Sequence, residues 1–178
     1  VSIGARALAG KEEHRTMGLL LANPIKRSTV VYQETFTMVL YAFAVGFATF
    51  AGVAAGSLLG GLDMSIGNIA ATSLLVTLVG SVFGAFALAL SAATGRVNVA
   101  VYGPVGAALI LYVLNALLPF TDKLVGFAKW SPFYYYLSSD PLMNGMNWGH
   151  GAVLIGLTVV LIGLSVVLFQ HRDLRQTA

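Results

Sequence analysis

The chain alternates long apolar runs with short polar breaks. Four runs reach the length of about 20 residues that a helix needs to cross a bilayer core. They are about Phe36 to Leu59, Ile66 to Ala92, Val99 to Leu118 and Gly151 to Phe169. None holds an Asp, Glu, Lys, Arg or His. A charge at mid-span costs about 2.5–3.5 kcal/mol on the insertion scale, so this absence fits genuine spanning. The buried bundle of a soluble protein is the competing reading, and four such runs weigh against it. The pattern predicts an all-α membrane protein. Its transmembrane domain covers residues 35–178, and a polar, amphipathic region covers residues 1–34.

The breaks carry their own pattern. Residues 120–148 read "FTDKLVGFAKWSPFYYYLSSDPLMNGMNW", too long for a plain turn. Ser131-Pro132 and Asp140-Pro141 each resemble a helix cap followed by proline at the first helical position, which predicts two short helices. Trp130, Phe133, Tyr134, Tyr135, Tyr136 and Trp148 cluster there. Tyr and Trp settle at headgroup level, so these helices are expected to be re-entrant or interfacial. The alternative is a gate or exit surface for an apolar solute. Within the spans, Gly52, Gly56 and Gly60 repeat every four residues, as do Gly80 and Gly84. Such spacing lets helix backbones approach closely, either inside the chain or at a subunit interface. Pro104 is expected to kink the third span.

Composition and charge fix the direction. Apolar residues make up 57% and charged residues 10%, against about a quarter charged in soluble domains. Arg6, Lys11, Arg15, Lys26, Arg27, Arg96, Arg172 and Arg175 fall on one side if each run crosses once. Only Lys123 and Lys129 fall on the other. That asymmetry predicts both visible termini in the cytoplasm. The net charge of +3 does not point to nucleic acid, because no basic stripe with interleaved aromatics exists. The first residue is Val1, not Met, and no secretory signal pattern opens the chain, so a piece of a longer protein is expected.

Catalytic patterns are missing. There is no cysteine, no GxxxxGK[ST] and no HExxH. His14, His150 and His171 are far apart in sequence and flank the membrane. Glu12 and Glu13 are adjacent, so on a helix they point apart. No Ser/His/Asp arrangement is recognisable. The spans offer only hydroxyls and amides, such as Thr72, Ser73, Thr77, Ser81 and Asn115, which weakens a proton-driven mechanism and leaves sodium coupling open. Tyr102, Tyr112 and Asn115 are candidates to line a pathway, though helix packing explains them equally well. If the chain transports, its energy is expected from a partner.

The opening stretch "EEHRTMGLLLANPIKR", Glu12 to Arg27, is the remaining feature. Residues 6–22 can form a helix with leucine patches, and Pro24 turns the chain by pushing Asn23 away from helical geometry. Ser28 or Thr29 can cap the helix that leads into the first span. The plain reading is an interfacial amphipathic helix. The sharper one is a lever that carries a push from a soluble partner into the membrane.

These residues resemble the cytoplasmic segment of ABC-2 type exporter permeases, where a Glu-rich start precedes a Gly-Thr pair, a leucine run and Pro-x-x-Arg. Glu12, Glu13, Thr16, Leu19, Leu20, Leu21, Pro24 and Arg27 match; Arg15 stands where glycine is usual and Gly18 where an acid is common. "WSPFYYYLSSDPLMNG" resembles the family's external segment and "FQHRDL" its cytoplasmic end. The resemblance implies six spans per permease unit, of which this chain would hold the last four. It implies two permease units, as a homodimer or a fused or heteromeric pair, working with two ABC ATP-binding subunits that bind ATP and Mg. The matching residues would form the coupling helix seated in the ATPase. The chain itself would hold no cofactor and no metal, and would be a non-catalytic, multi-pass protein of the bacterial inner membrane. Its substrate is expected to be a lipophilic drug, antibiotic or lipid, although the family also exports polysaccharides. The alternatives are a non-transport membrane scaffold or lipid-interacting protein and, third, a membrane enzyme, for which polar clusters are sparse.

Overall fold

The computed structural model describes residues 27–117 and 129–171. Among them the helices are α1 (Arg27–Leu59), α2 (Ile66–Thr94), α3 (Val97–Leu117), α4 (Pro132–Leu137), α5 (Pro141–Asn144) and α6 (Trp148–His171). Helices α1, α2, α3 and α6 are long and apolar enough to cross a membrane. The protein is an all-α membrane protein, with its four long helices where the apolar runs lie.

Helix α1 is longer than its apolar run. Its 33 residues span about 50 Å at 1.5 Å per residue, against a hydrocarbon core of about 30 Å. The added length is the polar stretch Arg27–Thr35, so α1 runs through the expected domain boundary at residue 34. Ser28 and Thr29 lie within α1. At the other end α1 stops on glycine. Gly61 takes a left-handed φ of 62°, Leu62 N–H donates to Ser57 O at 3.0 Å, and Gly61 N–H reaches Leu58 O at 3.4 Å. This is the paired closure of a Schellman cap, reinforced by the Ser57 hydroxyl donating to Leu62 O at 3.0 Å. Gly95, with φ 61°, opens the shorter turn from α2 to α3. Pro104 is buried and α3 continues through it.

The described residues form two compact units. One contains residues 27–38, 83–105 and 158–171. Its core joins Val30 and Val31 of α1, Leu88 and Ala92 of α2, and Phe169 of α6, with Val166 and Leu168 packed on it. Ala87 of α2 meets Ala100 of α3 beside Leu90 and Val101. Met38 lies over Gly84, where an added Cβ would stand 2.8 Å from the Met38 sulfur.

The other unit contains residues 39–82, 106–117 and 129–157. Here Gly46 of α1 sits directly on Thr77 of α2. Gly151 of α6 faces Met146 and Leu78. Ile69, Leu75 and Leu154 are fully buried.

Burial is very unequal between helices. In α2, 72% of the spanning window is buried inside the chain; in α1 only 6% is. Within the chain, the glycine run of α1 meets no neighbouring helix: nothing lies within 4 Å of a Cβ added at Gly52 or Gly56, nor at Gly80. Among those five glycines, Gly84 faces a neighbouring helix.

Candidate functional site

The aromatic segment before the last span is built as a set of caps. Ser131 adopts an extended conformation, φ −86° and ψ 131°, as a residue before proline should. Its hydroxyl oxygen accepts from Phe133 N–H at 3.3 Å, capping α4, and its hydroxyl hydrogen is directed to Leu111 O of α3 at 3.4 Å. Pro132 fills the first helical position and is buried. The second dipeptide behaves differently. Asp140 is left-handed, φ 40° and ψ 66°, and makes no capping bond through its side chain. It therefore corrects the cap expected there: Pro141 opens α5, but the carboxylate does not close it. Asn68 at the start of α2 holds α5 instead. Its amide nitrogen donates to Leu142 O at 2.9 Å and Met143 O at 3.2 Å.

Rings lock α4 to its neighbours. Phe133 meets Tyr112 of α3 edge-on, centroids 5.5 Å apart. Tyr135 meets His150 of α6 edge-on at 5.3 Å, and Tyr134 packs against both. His150 Nδ1 lies 2.9 Å from Tyr135 O. Because a carbonyl can only accept, Nδ1 carries the hydrogen and donates. Asn147 caps α6, its Oδ1 accepting from His150 N–H at 3.2 Å. Trp130 and Trp148 remain 82% and 76% exposed, and Tyr136 is half-buried.

The three pathway candidates on α3 differ in exposure and direction. Tyr102 and Tyr112 are exposed, whereas Asn115 is buried. At 100° per residue, Tyr102 and Asn115 point about 140° apart. The hydroxyls of α2 are largely spent on their own helix: Thr72 donates to Asn68 O, Thr77 to Ser73 O and Ser81 to Thr77 O. They satisfy themselves rather than offering a continuous polar lining. Among the described residues no cluster of three His, Asp or Glu forms. Glu12, Glu13, Thr16, Leu19, Leu20, Leu21 and Pro24 lie outside the described residues, and Arg27 is the first residue of α1.

A family model described as ABC-2 family transporter protein matches residues 1–174. The chain belongs to the ABC-2 transporter family. Comparison with curated proteins and comparison with solved structures each returned no match. An ABC-2 permease is a multi-pass membrane protein, and its four long apolar helices agree with that. Permeases of this family are typically non-catalytic and work with ATP-binding subunits. The Ser131 cap is the one its dipeptide signalled, whereas nothing about the isolated His150 signalled its tether to Tyr135 O. The Asn68 clamp had no sequence signal, since its partners lie more than seventy residues away.

Proposed function

We propose that this ABC-2 chain is a membrane-spanning part of an ATP-driven exporter of a lipophilic substrate, taking up the ATPase stroke through residues 12–27. The observation that carries this reading is how α1 starts. Arg27, the last of the matching residues, stands on one unbroken helix that runs to Leu59. Within its first turns, Val30 and Val31 are locked into a core with α2 and α6 through Leu88, Ala92 and Phe169. A displacement delivered to the start of α1 therefore meets a packed joint, which transmits force better than a frayed end. Nucleotide and Mg would be held by the ATP-binding subunits. The lipophilic substrate class rests on the apolar character of the spans and their self-satisfied hydroxyls.

The test is co-purification with candidate ATP-binding subunits, followed by ATPase assays of the reconstituted complex against a panel of apolar compounds. Leu20→Asp or Leu21→Asp should abolish co-purification while the chain still inserts. A native chain that associates with no ATP-binding subunit would sink the reading.

A further inference from the structure

A groove beside the start of α4 joins a cation to an apolar wall. Its volume is about 370 Å³, and it is lined by Lys129, Trp130, Pro132, Tyr135, Val153 and Leu157. Lys129 is exposed and carries the one formal charge among these residues. Trp130 stands beside it, largely exposed, as a side chain that settles at headgroup depth. Val153 and Leu157 are one helical turn apart on α6, a helix apolar enough to span. Leu157 lies about 13 Å along that helix from Trp148. The groove thus runs from a cation at the headgroup level to an aliphatic wall in the hydrocarbon. Tyr135, also in the lining, is fixed by the bond from His150 to its carbonyl and by the edge-on ring contact.

Three occupants can be compared on this chemistry. A soluble anion satisfies Lys129 but leaves the aliphatic wall bare. A zwitterionic lipid fills the wall, but brings its own cation against Lys129. An anionic lipid answers both ends. We propose that this groove binds an anionic glycerophospholipid, its headgroup phosphate on the Lys129 ammonium and one acyl chain along Val153 and Leu157.

The chain has two tryptophans, so Trp148→Phe leaves Trp130 as the reporter inside the groove. That variant of the full chain is reconstituted in phosphatidylcholine vesicles at physiological salt, with brominated phosphatidylglycerol or brominated phosphatidylcholine as quencher. The expected result is a relative binding constant about fivefold in favour of phosphatidylglycerol, the worth of one surface cation against an anionic lipid. Lys129→Gln should bring the ratio to about one, and Lys129→Arg should keep it. Equal quenching by both lipids overturns the proposal, as does a preference that survives Lys129→Gln. Quenching by neither means that protein covers the groove, and overturns it too.

Discussion

Gly46 shows how little room the α1–α2 seat has. A methyl added there would overlap the Thr77 hydroxyl, with Thr77 Cβ and Cγ2 at 3.1 and 3.2 Å. Rotating Thr77 about χ1 only exchanges one branch for the other, and its hydroxyl is already held by Ser73 O at 2.7 Å. Gly46→Ala should therefore destabilise the chain by about 1–3 kcal/mol, read as a lower thermal midpoint in detergent. Thr77→Ala in the same chain should recover part of that loss, as expected for residues in direct contact. Gly52→Ala meets nothing within 4 Å and should be neutral or stabilising by up to about 1 kcal/mol. An equal loss from both variants would contradict this packing. Four-residue spacing drew attention to Gly52, Gly56 and Gly60, whereas the seat is a lone glycine. Spacing shows which helix face is small; it does not show which face meets a neighbour, and that depends on residues distant in sequence.

Among the elements, α5 depends most on others. Four residues cannot hold a helix alone, and Asp140 adds no capping bond. The Asn68 amide makes the link, through two carbonyls on α5. Removing both bonds in Asn68→Ala should cost about 1–3 kcal/mol locally. Hydrogen exchange should rise across residues 138–147, with α2 unchanged; no change there would mean that α5 is held by something else. The same comparison explains what the sequence could reveal. Ser131-Pro132 and Asp140-Pro141 look alike, yet Ser131 is extended with its hydroxyl directed to Leu111 O, whereas Asp140 is left-handed and its side chain makes no capping bond. The long helices were readable because length and hydropathy are local properties. Hydropathy alone did not reach residues 27–35, because its window ends where the membrane does; Pro24 and the hydroxyls of Ser28 and Thr29 were what pointed to a helix there. The functional reading rests mainly on residues 12–27, which a motif could flag but a hydrophobic pattern could not.

For the whole molecule, the reading stands or falls on direction. Eight Lys or Arg lie on one side of the predicted crossings and two on the other, which predicts that the start of α1 lies in the cytoplasm. Helix α2 makes this testable. Its 29 residues span about 43 Å, more than the hydrocarbon core, so its two ends should face opposite compartments. The chain contains no cysteine, so single cysteines label without background. Asp63→Cys, before α2, and Ala93→Cys, in its last turn, both change exposed residues. A membrane-impermeant maleimide added to intact cells should label Asp63→Cys at once and Ala93→Cys only after permeabilisation. Labelling of both from outside would mean that α2 does not cross. The reverse pattern would leave the spans in place but put residues 12–27 outside the cell. No ATP-binding subunit could reach them there, so the coupling proposal would fail while the family assignment stood.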